Sequence, residues 1–100
     1  MIIYIDIDNT ICNTDGMNYA KSTPIYENIY KVKSLIGEGH EVSFWTARGT
    51  GSNTSSPEEW KSLTVEQLES WGLGGIPIIF GKPYFDLFID DRVMNVKDWK

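Results

Sequence analysis

Apolar and polar positions along this chain change period in a regular order. Ile2 to Ile7 form a short run of β-branched and aromatic residues, the composition of a strand. Thr23-Pro24 reads as an N-cap with proline at the first helical position, and Ile25, Ile29, Val32, Leu35 and Ile36 recur behind it at helical spacing until Gly37 and Gly39. Glu41 to Thr46 is a second strand, and Gly49 to Ser55 a loop. Ser56-Pro57-Glu58-Glu59 is a capping box, followed by a helix whose apolar face is Trp60, Leu63, Leu68 and Trp71 and which stops at Gly72. Ile76 to Phe80 and Leu87 to Asp90 supply strands three and four. Strands alternating with helices predict an α/β domain, a Rossmann-like three-layer α/β/α sandwich around a mostly parallel sheet. Only Gly81 to Asp86 join the last two strands, whereas a parallel crossover takes about a dozen residues. Strand three is therefore expected to be short, irregular or at an edge, where Pro77 is tolerated.

Composition narrows the function. With 100 residues, of which 41% are hydrophobic, residues 1–100 make a single domain with a core but no second domain to cover a substrate. The net charge of −5 and the scattered lysines leave no basic stripe for a nucleic-acid backbone. Cys12 is the only cysteine, which excludes an internal disulfide, and no segment reaches membrane-spanning length. The first residues carry no basic n-region. A reducing cytoplasm is the expected compartment, with no membrane partner.

Against that background the placement of acids stands out. Asp6 and Asp8 end the first strand and Asp90-Asp91 end the fourth, each beside apolar residues where a lone anion would be costly to desolvate. Acids gathered there need a cation, and hard oxygen ligands suit Mg²⁺. Open parallel sheets bind their ligands beyond the carboxyl ends of the strands. Asp6 and Asp8, two apart on a strand and about 7 Å from each other, address one site. Thr46 offers a hydroxyl and Lys82 an ammonium to a phosphate oxygen there, while Asn9 and Thr10 lead the chain out past it. Arg48 has two roles open to it: a contact to the substrate's phosphate or sugar, or a tie for its own loop. The outcome expected is an enzyme that handles phosphate.

Other signals weigh less. Gly49-Thr50-Gly51 after a strand is like a dinucleotide loop, but position 54 is Thr where the fingerprint needs Gly. His40 precedes the second strand and falls at the opposite end of the sheet from the acids. Cys12 lacks a base nearby in sequence, which favours packing over nucleophilic chemistry.

Asp6-Ile7-Asp8-Asn9-Thr10, Thr46 in Phe44-Trp45-Thr46-Ala47-Arg48-Gly49, Lys82 in Gly81-Lys82-Pro83, and Ile89-Asp90-Asp91 resemble the four ordered motifs of haloacid dehalogenase-like (HAD) phosphatases. The motifs run from residue 6 to residue 91. More narrowly, Pro24-Ile25-Tyr26-Glu27-Asn28 and Lys82-Pro83-Tyr84-Phe85-Asp86 are similar to the small capless phosphatases of capsule and polysaccharide biosynthesis. The resemblance implies a minimal core without a cap domain. It implies that Asp6 is the nucleophile, forming an aspartyl phosphate, and that Asp8 protonates the leaving oxygen and then activates water. Thr46 and Lys82 would bind the transferring phosphoryl group, and Mg²⁺ would be held by Asp6, the Asp8 backbone carbonyl and Asp90, with Asp91 acting directly or through water. Asn9, Thr10 and Arg48 are the candidate substrate contacts.

Three other functions use similar parts. A response-regulator phosphoacceptor also clusters acids, Thr and Lys on a parallel sheet, but there the acid pair comes first in the chain and here it comes last. A catalytically idle binding domain would not need intact motifs. A polynucleotide-end phosphatase would share the chemistry, against the acidic surface. The expected substrate is a small phosphorylated compound such as a sugar phosphate. Cys12 to Ser22, with Asp15-Gly16 at its tip, and Ala47 to Ser55 are the segments long enough to close over it, together with a neighbouring subunit.

Overall fold

The computed structural model describes residues 1–50 and 57–100. The capping box at Ser56 and most of the loop after Gly49 lie outside the described residues. Among the described residues five strands and two α-helices follow one another: β1 (Ile2–Ile5), β2 (Cys12–Asn13), β3 (Thr23–Pro24), α1 (Tyr26–Gly37), β4 (Glu41–Thr46), α2 (Pro57–Ser70) and β5 (Ile78–Phe80). β1, β4 and β5 form a parallel sheet in that order, with Ile5 opposite Phe44 and Thr46 opposite Phe80. The α/β class expected from the alternating pattern is what the chain adopts.

Both crossovers step the same way across the sheet, so the right-handed rule puts α1 and α2 on one face. Burial alternates accordingly. Ile5, Val42 and Phe44 point into the core with Ile29 and Val32 of α1 and with Leu68, Trp71 and Leu73 at the end of α2. On the other face Ile2 is 74% and Tyr4 57% exposed, and Tyr4 meets Trp45 edge-on. Among the described residues that second face has no helix across it.

Leu87 to Asp90 is not a strand. Six residues after β5 are too few for a parallel crossover, and the segment instead runs outside the sheet with Leu87 and Ile89 exposed, leaving β1 at the edge. β5 is short and sits at the opposite edge, just after Pro77. Thr23-Pro24 is not the helix cap either. These two residues pair antiparallel with Cys12–Asn13, and the helix begins at Tyr26 behind Ile25. Proline fits a short edge strand as well as a first helical turn, and only the pairing partner decides between them. The β2–β3 pair thereby closes residues 12–24 into a flap whose tip, Gly16, has a φ of +57°.

Candidate active site

The chain leaves β1 through a tight turn. The N–H groups of Thr10 and Ile11 both bond the Ile7 carbonyl, at 3.2 and 3.0 Å, and Asn9 takes a φ of +62°, the one positive φ outside glycine among the described residues. Asn tolerates that left-handed conformation better than a bulky residue. Its side-chain oxygen accepts from the Thr14 N–H at 3.1 Å and fixes the base of the flap. Asp6 and Asp8 flank the fully buried Ile7. They hold different partners.

Asp6 faces Lys82. The ammonium lies 3.4 Å from one carboxylate oxygen and the Thr10 hydroxyl donates to the other at 3.2 Å. Lys82 reaches this point because its N–H bonds the Thr46 carbonyl at 3.1 Å, which carries the β5 exit alongside the end of β4. Trp45 and Phe85 lie under the ammonium at 5.7 and 5.4 Å, so the stem is packed and the charge is aimed. Burial pushes the Asp6 carboxyl above its ordinary value of 3.8, against the pull of Lys82 and the Thr10 and Ile7 hydrogen bonds. A half-buried anion beside a cation at a strand end is a poor structural element and a serviceable nucleophile.

Asp8 pairs with a different cation and keeps 20% of its side chain exposed. Arg48 Nε and Nη2 donate to its two oxygens at 3.0 and 2.8 Å, and the Thr14 hydroxyl, shared with Ser22 at 2.6 Å, donates at 2.6 Å. Arg48 itself is 1% exposed. Its Nη1 donates to Thr64 at 3.0 Å and Gln67 at 2.7 Å on α2, and the Tyr19 ring covers the guanidinium at 4.8 Å. Of the two roles open to Arg48, the structure supports a tie, though to Asp8 and α2 beyond its own loop. The guanidinium is spent on protein acceptors. Cys12 is buried under Asp8 with its thiol pushed up by burial, a packing residue.

Thr46 is fully buried and its hydroxyl accepts from the Arg48 N–H at 3.1 Å. Its backbone, through Lys82, does the visible positioning. Asp90 and Asp91 do not join the others. Both are exposed; Asp90 accepts from the Arg92 N–H at 2.8 Å, and Asp91 lies 3.9 Å from the Arg92 side chain. Among the described residues no three acidic, histidine or cysteine side chains are close enough to share a metal ion. Asp6, the Asp8 carbonyl, Asp90 and Asp91 as placed do not form a set that fits Mg²⁺, because the last pair is exposed and lies outside the sheet. Lys82 is the cation at Asp6.

Thr14, Thr64 and Gln67 were not legible as site residues. A signal existed for two of them: Thr64 and Gln67 lie among Trp60, Leu68 and Trp71 on the inward side of α2, and polar residues in an apolar stripe need a buried partner. A cleft of about 1090 Å³ runs from Asp6, Thr10 and Lys82 along the free edge of β1 to Phe88 and Met94. A shallower one of about 470 Å³ lies beneath the flap, lined by Asn9, Asn13, Thr14 and Lys21.

Fold and site together describe an α/β domain with an aspartate and a lysine paired at the carboxyl end of a parallel sheet. No family model and no curated protein matches the chain. A crystal structure of a structural-genomics target from Vibrio cholerae is similar to it with a TM-score of 0.83, covering 97% of this chain and 85% of that one at 20% identity. At that identity the likeness is one of fold.

Proposed function

We propose that the protein is a phosphomonoester hydrolase working through an aspartyl phosphate on Asp6, with a small phosphorylated polar compound such as a sugar phosphate as substrate. The observation that carries this is the Asp6 carboxylate held at the carboxyl end of β1 with the Lys82 ammonium at 3.4 Å and the Thr10 hydroxyl at 3.2 Å. A phosphoryl group entering there meets a nucleophilic oxygen and a fixed positive charge together.

In the proposed reaction an Asp6 oxygen attacks phosphorus and the ester oxygen leaves. Lys82 offsets charge on the phosphoryl oxygens, and Asp8, entering the step protonated, gives that proton to the leaving oxygen and regains one from the water that hydrolyses the intermediate. Of the tethers on Asp8, the Thr14 hydroxyl is the one a leaving-group oxygen would replace. It is a single bond from a flap, whereas Arg48 grips as a fork. The flap and the lack of a basic stripe support a small polar substrate, and the resemblance to capsule and polysaccharide phosphatases supports a sugar phosphate. Asp90 and Asp91 would join Asp6 around Mg²⁺ only if residues 87–91 came to lie along β1, and the chemistry above uses neither.

The test is phosphate release from a panel of sugar, polyol and aryl phosphates with Mg²⁺ supplied, together with acid-quench mass spectrometry. Wild-type protein should carry phosphate on Asp6 during turnover, and Asp6→Asn should carry none. Phosphorylation of Asp6→Asn elsewhere in the site, or no release from any member of the panel, removes the proposal.

A further inference from the structure

We infer that Gln67 is a positioning residue: by holding Arg48 to α2 it keeps the carboxylate of Asp8 in aim while the flap over the site moves. The inference rests on the phosphatase reading and concerns how its acid is aimed.

Gln67 bonds at both ends of its amide. Its oxygen accepts from Arg48 Nη1 at 2.7 Å, and its nitrogen donates to the Tyr19 carbonyl at 2.6 Å. The two ends are not interchangeable, because a flipped amide would set N–H against guanidinium N–H and oxygen against carbonyl oxygen. Tyr19 belongs to the short 3₁₀ turn at Tyr19–Lys21 inside the flap. Its ring lies 4.8 Å from the guanidinium carbon and meets Trp60 of α2 edge-on at 4.9 Å. One flap residue therefore covers Arg48 and holds the amide that holds Arg48. Arg48 in turn places both oxygens of Asp8. Thr14, from the same flap, adds a direct bond to Asp8 at 2.6 Å.

A flap displaced by substrate would loosen Thr14 and Tyr19 together. With Gln67 present, Arg48 keeps its acceptors on α2 and Asp8 keeps its aim; without it, the guanidinium loses one of two acceptors on Nη1 and its tie to the flap. Thr64, whose buried hydroxyl is the other acceptor at 3.0 Å, shares the task from the next turn of the helix. A residue that merely pins a loop to a helix would affect all substrates alike. One that aims a general acid affects those whose leaving groups need a proton.

The experiment compares Gln67→Leu, Thr64→Val and Thr64→Ser with wild type on glucose 6-phosphate, an alkyl ester, and on p-nitrophenyl phosphate, whose phenolate leaves without help. For Gln67→Leu and Thr64→Val, kcat on the alkyl ester should fall about tenfold or more relative to kcat on the aryl ester, with KM for the aryl ester nearly unchanged. Thr64→Ser keeps the hydroxyl and should restore the wild-type ratio. Equal losses on both esters, or no loss in either variant, overturn the inference while the phosphatase reading stands. If wild type hydrolyses neither ester nor any other phosphomonoester, the phosphatase reading has failed and the inference with it. Should Gln67→Leu not fold, Gln67→Met, which keeps the length of the side chain without its amide, takes its place.

Discussion

Arg48 and Asp8 form a two-point ion pair, 3.0 and 2.8 Å, in which the arginine side chain is fully buried and the aspartate keeps 20% of its exposure. Desolvating a guanidinium is repaid only while its acceptors stay in place. Arg48→Ala or Asp8→Ala should therefore each cost about 3 kcal/mol or more in urea unfolding, and Arg48→Lys should rescue little, because one ammonium cannot serve Asp8, Thr64 and Gln67 together. Removing both partners, Arg48→Ala with Asp8→Ala, should cost less than the sum of the singles. Strict additivity would show that the pair is not energetically coupled.

Asp6 predicts a trade of stability for function. Its carboxyl is raised by burial, so the folded protein holds that proton more tightly than the unfolded chain. The resulting stability is present below the ordinary value of 3.8 and is lost as pH rises through the raised one, after which the ionised group is a standing cost. Asp6→Asn should accordingly raise Tm at pH 7 and leave it nearly unchanged near pH 3, while abolishing phosphoenzyme. A variant less stable than wild type at pH 7 would mean that the attraction of Lys82 outweighs burial.

The two acids at the end of β1 should separate kinetically. Asp8→Asn leaves Asp6 and Lys82 in place, so an aryl phosphate should still transfer its phosphoryl group, with the intermediate accumulating because its hydrolysis is slowed. Alkyl phosphates should lose activity by about a hundredfold or more. Equal loss on both classes would assign Asp8 to structure alone.

Divalent metal reports on the last segment. Leu87 is 74% and Ile89 87% exposed, and among the described residues the neighbouring edge of β1 is unpaired, so residues 87–91 have an apolar reason and a hydrogen-bonding reason to move there. If the segment settles there, turnover needs Mg²⁺ and stops reversibly on chelation, with amide exchange at Leu87 to Ile89 slowing when Mg²⁺ is added. Full turnover in excess chelator would leave Lys82 as the sole cation of the site.

Some residues could be read without a structure because their surroundings are local. The second strand, Glu41 to Thr46, was legible residue for residue, since its alternation is regular and it is bounded by Gly39 and the polar loop after Thr46. The α1 stripe was legible at Ile29 and Val32, which are buried, but not at Ile36, which is 41% exposed because the helix turns it away from the sheet. Asp6 and Lys82 could be brought together on paper because parallel strands deliver their carboxyl ends to one side. The helix start at Thr23 could not be judged, because Cys12 and Asn13, earlier in the flap, compete for the same two residues.

By itself, then, the amino-acid order determined the α/β class, the sheet's middle strand and the end of the sheet where the acid and the lysine meet, all consequences of period and chain direction. Only the tertiary structure decided which charges pair. Asp6 and Asp8 are equivalent in strand geometry, yet one finds Lys82 at the mouth of the site and the other finds Arg48, Thr14 and α2 inside it. Asp90 and Asp91 are placed by the length of the connection before them rather than by their chemistry. A carboxylate's role depends on which cation its neighbours bring within hydrogen-bonding distance, and that distance is set by packing between segments far apart in the chain.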